Sequence, residues 1–192
     1  MALNKVDSSD HEIVQLVLEN PNNYALIIQR YEAPLLRYIR RLTSVDLEGA
    51  QDILQEVFIK VYLNLNDFDN SLKFSSWIYR ITHNQVISEF RKLKSRAHGN
   101  QVGVEDFVLE NLKDEFNITK DCDNEFLQSA IQNVLQDMKP VYKEVIVLQY
   151  FEQKSYQEIS DILQKPKGTI ATLVNRAKKQ FLKVANKKNI QF

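Results

Sequence analysis

The chain has one cysteine, Cys122, in 192 residues, which excludes a disulfide framework and any cysteine-built zinc site and fits a reducing compartment. Four glycines and four prolines are too few for a loop-rich β fold, which needs turn residues at frequent intervals. The three histidines, His11, His83 and His98, lie far apart with no HExxH spacing, so neither a metal nor another cofactor is expected. No apolar signal core opens the sequence, and no run approaches the roughly 18 apolar residues of a membrane span. A cytoplasmic protein without membrane insertion is expected. With 44% hydrophobic and 26% charged residues, an all-α soluble fold is the class that remains.

The formal net charge is zero, but the charge is unevenly placed. Residues 1–96 hold 12 basic and 12 acidic side chains, residues 97–125 hold 2 and 8, and residues 126–192 hold 11 and 5. Basic segments flanking an acidic one point to a nucleic-acid partner.

Local signals divide the chain into two small helical domains, 1–96 and 124–192, joined by an acidic flexible linker, 97–123, with a short helical patch at Asp106–Leu112. Ser9-x-x-Glu12 is a capping box that starts a first helix, and Asn20-Pro21-Asn22-Asn23 breaks it. A second helix spans Tyr24–Arg41, with a kink or restart at Pro34. The third, Leu47–Leu65, has the cleanest period: Leu47, Ala50, Ile53, Leu54, Val57, Phe58, Val61 and Leu65 share a face, and Gln51, Asp52, Gln55, Glu56 and Lys60 are left to water. A loop, Asn66–Phe74, leads to a fourth helix, Ser75–Ser95. Further helices are expected at Asn124–Met138, Pro140–Phe151, Ser155–Leu163 and Gly168–Ala185.

The last two form a helix-turn-helix. Ser155-x-x-Glu158 caps the first, Gln164-Lys165-Pro166-Lys167 is the turn, and Ile159, Ile162, Ile170 and Val174 pack the pair together. From Gly168 onward every charged residue is basic, as suits a helix presented to the major groove. A solvated lysine-rich tail is the plainer reading of the charge alone; cap, short turn and clustered charge together favour DNA.

Two stretches resemble the small extracytoplasmic-function (ECF) group of bacterial sigma factors. The first is Asp52-Ile53-Leu54-Gln55-Glu56-Val57-Phe58 with Val61-Tyr62, continuing through Phe68 and Phe74 to Trp77-Ile78-Tyr79-Arg80-Ile81 and Asn84. The second runs from Met138-Lys139-Pro140 through Ser155-Tyr156-Gln157-Glu158-Ile159 and Pro166-Lys167-Gly168-Thr169-Ile170 to Asn175-Arg176-Ala177-Lys178-Lys179. The resemblance implies a transcription initiation factor, not an enzyme, whose partners are core RNA polymerase, promoter DNA and an anti-sigma factor. It makes Asp52, Gln55 and Glu56 the core-polymerase contact. It places −10 recognition on Asn66, Asp67, Phe68, Phe74, Trp77, Arg80, Asn84, Arg91 and Lys92, with a flipped base held by the loop at Asn66–Leu72. It places −35 recognition on Lys167, Thr169, Thr172, Asn175, Arg176 and Lys179.

Phe74 and Trp77 serve equally well as core residues or as stacking surfaces. His83 departs from the family pattern and is expected to be an ordinary exposed residue. Ala171 and Leu173 stand where the family usually has a Lys and an Arg, and Gln164 where Gly is common. Two other functions fit parts of the pattern: a stand-alone helix-turn-helix regulator, and a nuclease using Asp52 and Glu56, which lie one helical turn apart.

Overall fold

A computed structural model describes residues 8–97 and 125–190, with side chains described at 8–92 and 129–190. The expected linker and its patch at Asp106–Leu112 fall outside the described residues, apart from Ala97 at a helix end. The elements are α1 (Asp10–Glu19), a 3₁₀ turn at Pro21–Tyr24, α2 (Ala25–Leu42), α3 (Leu47–Leu63), a 3₁₀ turn at Leu65–Asp67, α4 (Phe74–Ala97), α5 (Glu125–Gln136), α6 (Pro140–Ile146), a π turn at Val147–Phe151, α7 (Tyr156–Leu163) and α8 (Lys167–Lys187). No strand occurs among the described residues.

The caps form where the sequence places them. Ser9 and Ser155 each accept from the backbone three residues on while Glu12 and Glu158 reach back, which satisfies the first orphan donors of α1 and α7. Asp46 caps α3 by accepting from Gly49 N at 2.8 Å. Of the kink or restart expected at Pro34, no restart occurs: α2 is one helix through it. Leu35, Tyr38 and Ile39, buried just after it, hold the helix in the core despite the missing backbone donor. α3 stops at Leu63, two residues earlier than its periodicity suggests, because the chain tightens into the 3₁₀ turn that buries Leu65.

The first unit packs α2, α3 and α4 around Ile27, Leu35, Tyr38, Ile39, Val57, Val61 and Ile78, all fully buried. The second packs α6, α7 and α8 around Val145, Leu148, Ile159, Ile162, Ile170 and Val174. The four residues assigned to helix-turn-helix packing are thus in its core. Leu47, by contrast, is half exposed at the start of α3.

The helix expected at Pro140–Phe151 changes character at Val147. Glu152 N donates to Val147 O, five residues back, at 3.0 Å, and Lys154 N donates to Leu148 O at 2.9 Å. The widened turn carries Phe151 and Glu152 onto the first unit. There Glu152 accepts from Arg41 Nη1 at 2.8 Å and from the Tyr79 hydroxyl at 2.6 Å. The Arg41 guanidinium lies 4.7 Å from the Phe151 ring centre, and the Lys154 ammonium lies 4.4 Å from that of Tyr79. With α4 packed on α7, the two units are closed against each other.

Gln164 ends α7 in the left-handed region, φ 52° and ψ 44°, which explains why glycine suits this position. Its Nε2 donates to Asp161 O at 2.7 Å, partly offsetting the steric cost. Gln164→Gly is expected to raise stability by about 1 kcal/mol, read from the denaturant midpoint at unchanged m-value.

Candidate nucleic-acid interface

The last turn of α3 and the first half of α4 face each other across an open cavity of about 330 Å³. Lys60 and Asn64, one helical turn apart, line one wall; Trp77, Ile81 and Asn84, at helical spacing, line the other, and Asp67 of the 3₁₀ turn closes an end. Asp69 accepts from Ser71 N at 2.9 Å and orders the loop beyond; the Ser71 bonds hold its carboxyl below the usual range. Three of these lining residues, Asp67, Trp77 and Asn84, are among those expected to read −10 DNA. Lys60, Asn64 and Ile81 are not.

An aromatic stack supports the cavity from behind. Phe68 meets Phe74 edge-on at 5.3 Å between ring centres and Trp77 at 5.3 Å, and Tyr31 meets Phe74 edge-on at 5.6 Å. Phe74 is 1% exposed, so its ring is spent on packing and offers no face to a base. Phe68 is buried as well. Trp77 does both jobs, 7% exposed yet part of the cavity wall. Asn66, Asn84, Arg91 and Lys92 are exposed and Arg80 half-buried.

His83 is the clear departure from expectation. It is mostly buried against the second unit, its Nδ1 4.0 Å from Glu144 Oε1. Burial, reinforced by the Lys165 charge, pushes its pKa down to about 4, while burial pushes the Glu144 carboxyl up to about 7. Near neutrality the imidazole is uncharged, so this contact is not an ion pair. The sequence could not reveal the burial because the covering residues lie some sixty positions away.

On α3, Asp52, Gln55 and Glu56 all project to solvent on one face, and Ile59 and Leu63 continue that stripe, exposed at 53% and 69%. Among the described residues no group of three His, Cys, Asp or Glu side chains could hold a metal. On α8, Lys167, Thr169, Thr172, Asn175, Arg176 and Lys179 are all exposed while Ile170, Val174 and Ala177 are buried. The Thr172 hydroxyl donates to Gly168 O at 3.1 Å, which leaves its oxygen as an acceptor. A Cβ at Gly168 would meet nothing within 4 Å, so packing within the protein does not demand glycine there. Ala171 and Leu173 are half-buried beside these positions. Among the described residues no helix is long and apolar enough to cross a membrane.

Comparison with known proteins matches both halves. The Sigma-70 region 2 family covers residues 27–96 and the Sigma-70 region 4 family residues 128–181. The ECF RNA polymerase sigma factor SigW of Bacillus subtilis is 30% identical over 180 residues, covering 89% of this chain and 93% of its own. The RNA polymerase sigma-H factor of Pseudomonas aeruginosa is 26% identical over 174 residues, with 88% and 90% covered. Among solved structures, the sigma factor RpoE of Bartonella quintana, in complex with the anti-sigma factor NepR, superposes with a TM-score of 0.68 at 19% identity, covering 85% of this chain and 97% of that one. CnrH, in complex with the cytosolic domain of CnrY, gives 0.67 at 17% identity, with 93% and 98% covered. The chain belongs to the ECF sigma factors: it is a transcription initiation factor that directs RNA polymerase to promoters, not an enzyme.

Proposed function

We propose that the unit at 1–96 binds core polymerase and the −10 element, that the unit at 124–192 reads the −35 element, and that 97–123 links them. The observation that carries this reading is the cavity between α3 and α4. It is large enough for a base, walled on one side by Trp77, and lined with both hydrogen-bond donors and acceptors. Arg80, Asn84, Arg91 and Lys92 supply polar and cationic groups for the strand, with Asn66, Asp67, Phe68 and Phe74 forming and bracing the loop. Core polymerase docks on Asp52, Gln55 and Glu56, with Ile59 and Leu63 adding an apolar margin to the polar contact. The exposed α8 face, Lys167, Thr169, Thr172, Asn175, Arg176 and Lys179, enters the major groove. With Ala171 and Leu173 in place of two cations, this helix makes fewer phosphate or guanine contacts than the family norm. The protein acts in the cytoplasm, and an anti-sigma factor is its regulatory partner, in keeping with the complexes in which its structural relatives occur.

Promoter elements two helical turns apart lie roughly 70 Å from one another. In the closed arrangement α4 packs directly on α7, so the units must part before both elements can be held. A free tether of twenty-seven residues has a root-mean-square span of only roughly 30 Å, so core polymerase must hold the units apart.

Run-off transcription with bacterial core polymerase, on the region upstream of the protein's own gene, tests the reading. A discrete start that requires the protein is expected. Gln55→Ala and Glu56→Ala together should lower core affinity about tenfold, as loss of two exposed polar contacts does. Absence of core binding, with specific duplex binding by the protein alone, would replace this reading with a stand-alone regulator.

A further inference from the structure

We infer that Gln85 is a positioning residue for the cavity: it fixes the Lys60 ammonium on the cavity wall and so sets how sharply one base is preferred over another. This rests on the base-capture reading above.

Gln85 is 2% exposed, a buried amide on α4 behind the cavity-lining residues. Its Oε1 accepts from Lys60 Nζ at 2.6 Å, and its Nε2 donates to Glu89 Oε1 at 3.0 Å. The same carboxylate oxygen accepts from Lys92 Nζ at 2.7 Å. These bonds permit only one orientation of the amide. A carboxylate cannot donate, so the NH₂ end must face Glu89; reversing the amide would set its NH₂ against the Lys60 ammonium, donor against donor. Glu89 therefore orients Gln85, and Gln85 orients Lys60.

Lys60 needs such a restraint. Its head group sits on a flexible four-carbon stem that carries about 2 kcal/mol of rotamer entropy, and the residue is otherwise exposed. It is the one cation among the residues lining the cavity, opposite the one acid, Asp67. Bound to Gln85 through a single proton, it keeps two for an acceptor on a base edge. Without the Gln85 oxygen, the ammonium is drawn to solvent or to Asp67, and the cavity loses a donor at a fixed place. Discrimination between bases depends on fixed donors, because the wrong edge is rejected only where a buried polar group would be left unpaired.

The test uses holoenzyme, the full chain with core polymerase, and the DNA strand that it enriches from a random single-stranded pool. Each position of that strand is then changed to all four bases and the affinities compared. The wild type should show one position of sharpest preference, lost in Asn84→Ala. Gln85→Met should reduce the preference there about tenfold while leaving the other positions unchanged, within the range a base-edge contact contributes. Lys60→Met, at an exposed site, should do the same, and the double variant no more. Exchanging the pair, Gln85→Glu with Glu89→Gln, restores an acceptor for Lys60 and should restore the preference. Equal weakening at every position with a lowered Tm would make Gln85 merely structural and overturn the inference. Loss of preference in Asn84→Ala but not in Gln85→Met would overturn it and leave base capture standing. No enriched strand, or a preference indifferent to Asn84, would overturn both.

Discussion

Glu152→Ala should open the molecule, shifting the balance between closed and open arrangements about 30-fold toward the open one. The Glu152 side chain is 6% exposed and joins two groups across the seam, accepting from Arg41 and Tyr79, while its turn holds the Phe151 ring under the same guanidinium. Burial, with the Glu152 charge beside it, keeps the Tyr79 phenol pKa raised, so this hydroxyl remains a donor throughout the accessible pH range. Removing one partner of a fully buried ion pair costs about 3–5 kcal/mol. Arg41 is 27% exposed and can turn to water, so about 2 kcal/mol is the better figure, which corresponds to the 30-fold shift. Fluorophores on exposed Glu48 and Lys183 would report a longer mean separation in the variant. If only the open form engages core polymerase, apparent core affinity rises by up to the same factor. An unchanged separation would show that the apolar packing of α4 on α7 closes the molecule without help from Glu152.

The features legible in the sequence are those set by neighbours within a turn or two. Ser155 and Glu158 announce the start of α7, the isoleucines at 159, 162 and 170 announce its packing on α8, and both follow from caps and period alone. The exposure of Asp52, Gln55 and Glu56 follows equally from the period of α3. The cavity was half legible. Trp77, Asn84 and Asp67 stand out, but Lys60 looks like one more charge on a wet face. Two facing stripes, Lys60 with Asn64 and Trp77 with Ile81 and Asn84, both at helical spacing, are the signal that would have found it. The seam between the units was not legible. Arg41 and Glu152 are 111 residues apart, and the π turn that aims Glu152 arises from packing, not from any local breaker. For the same reason His83, polar and atypical, looked exposed.

The seam should also respond to pH, because buried acids and bases of opposite behaviour face each other there. Around its His83–Glu144 end lie Tyr38 and the Leu42 carbonyl from α2, Lys143 from α6, and Lys165 after α7. Burial raises the Glu144 carboxyl to about 7, against the opposing pull of Lys165 and Lys143. A carboxyl with a raised pKa favours the folded state in acid, and that contribution is lost as pH rises from its ordinary 4.5 to about 7. His83, lowered from 6.5 to about 4, acts oppositely: its contribution is complete above 6.5 and is lost as pH falls toward 4. Between 4.5 and 6.5 the two slopes cancel, and the wild type should be nearly flat there. Lys143, lowered to about 8 by burial, adds a rise in stability only above that pH. Glu144→Gln removes one arm of the balance, so its stability should climb with pH through the formerly flat window. Relative to wild type, the gain between pH 4.5 and 7 should total roughly 3 kcal/mol. His83→Gln should show the mirror image, falling with pH over the same range. Urea melts of the three proteins across this range decide the matter. Parallel curves would mean that the seam admits enough water to leave both groups near their ordinary values. Divergent ones would place Glu144 near half-titration at neutral pH, where proton uptake or release accompanies any parting of the units that hydrates it.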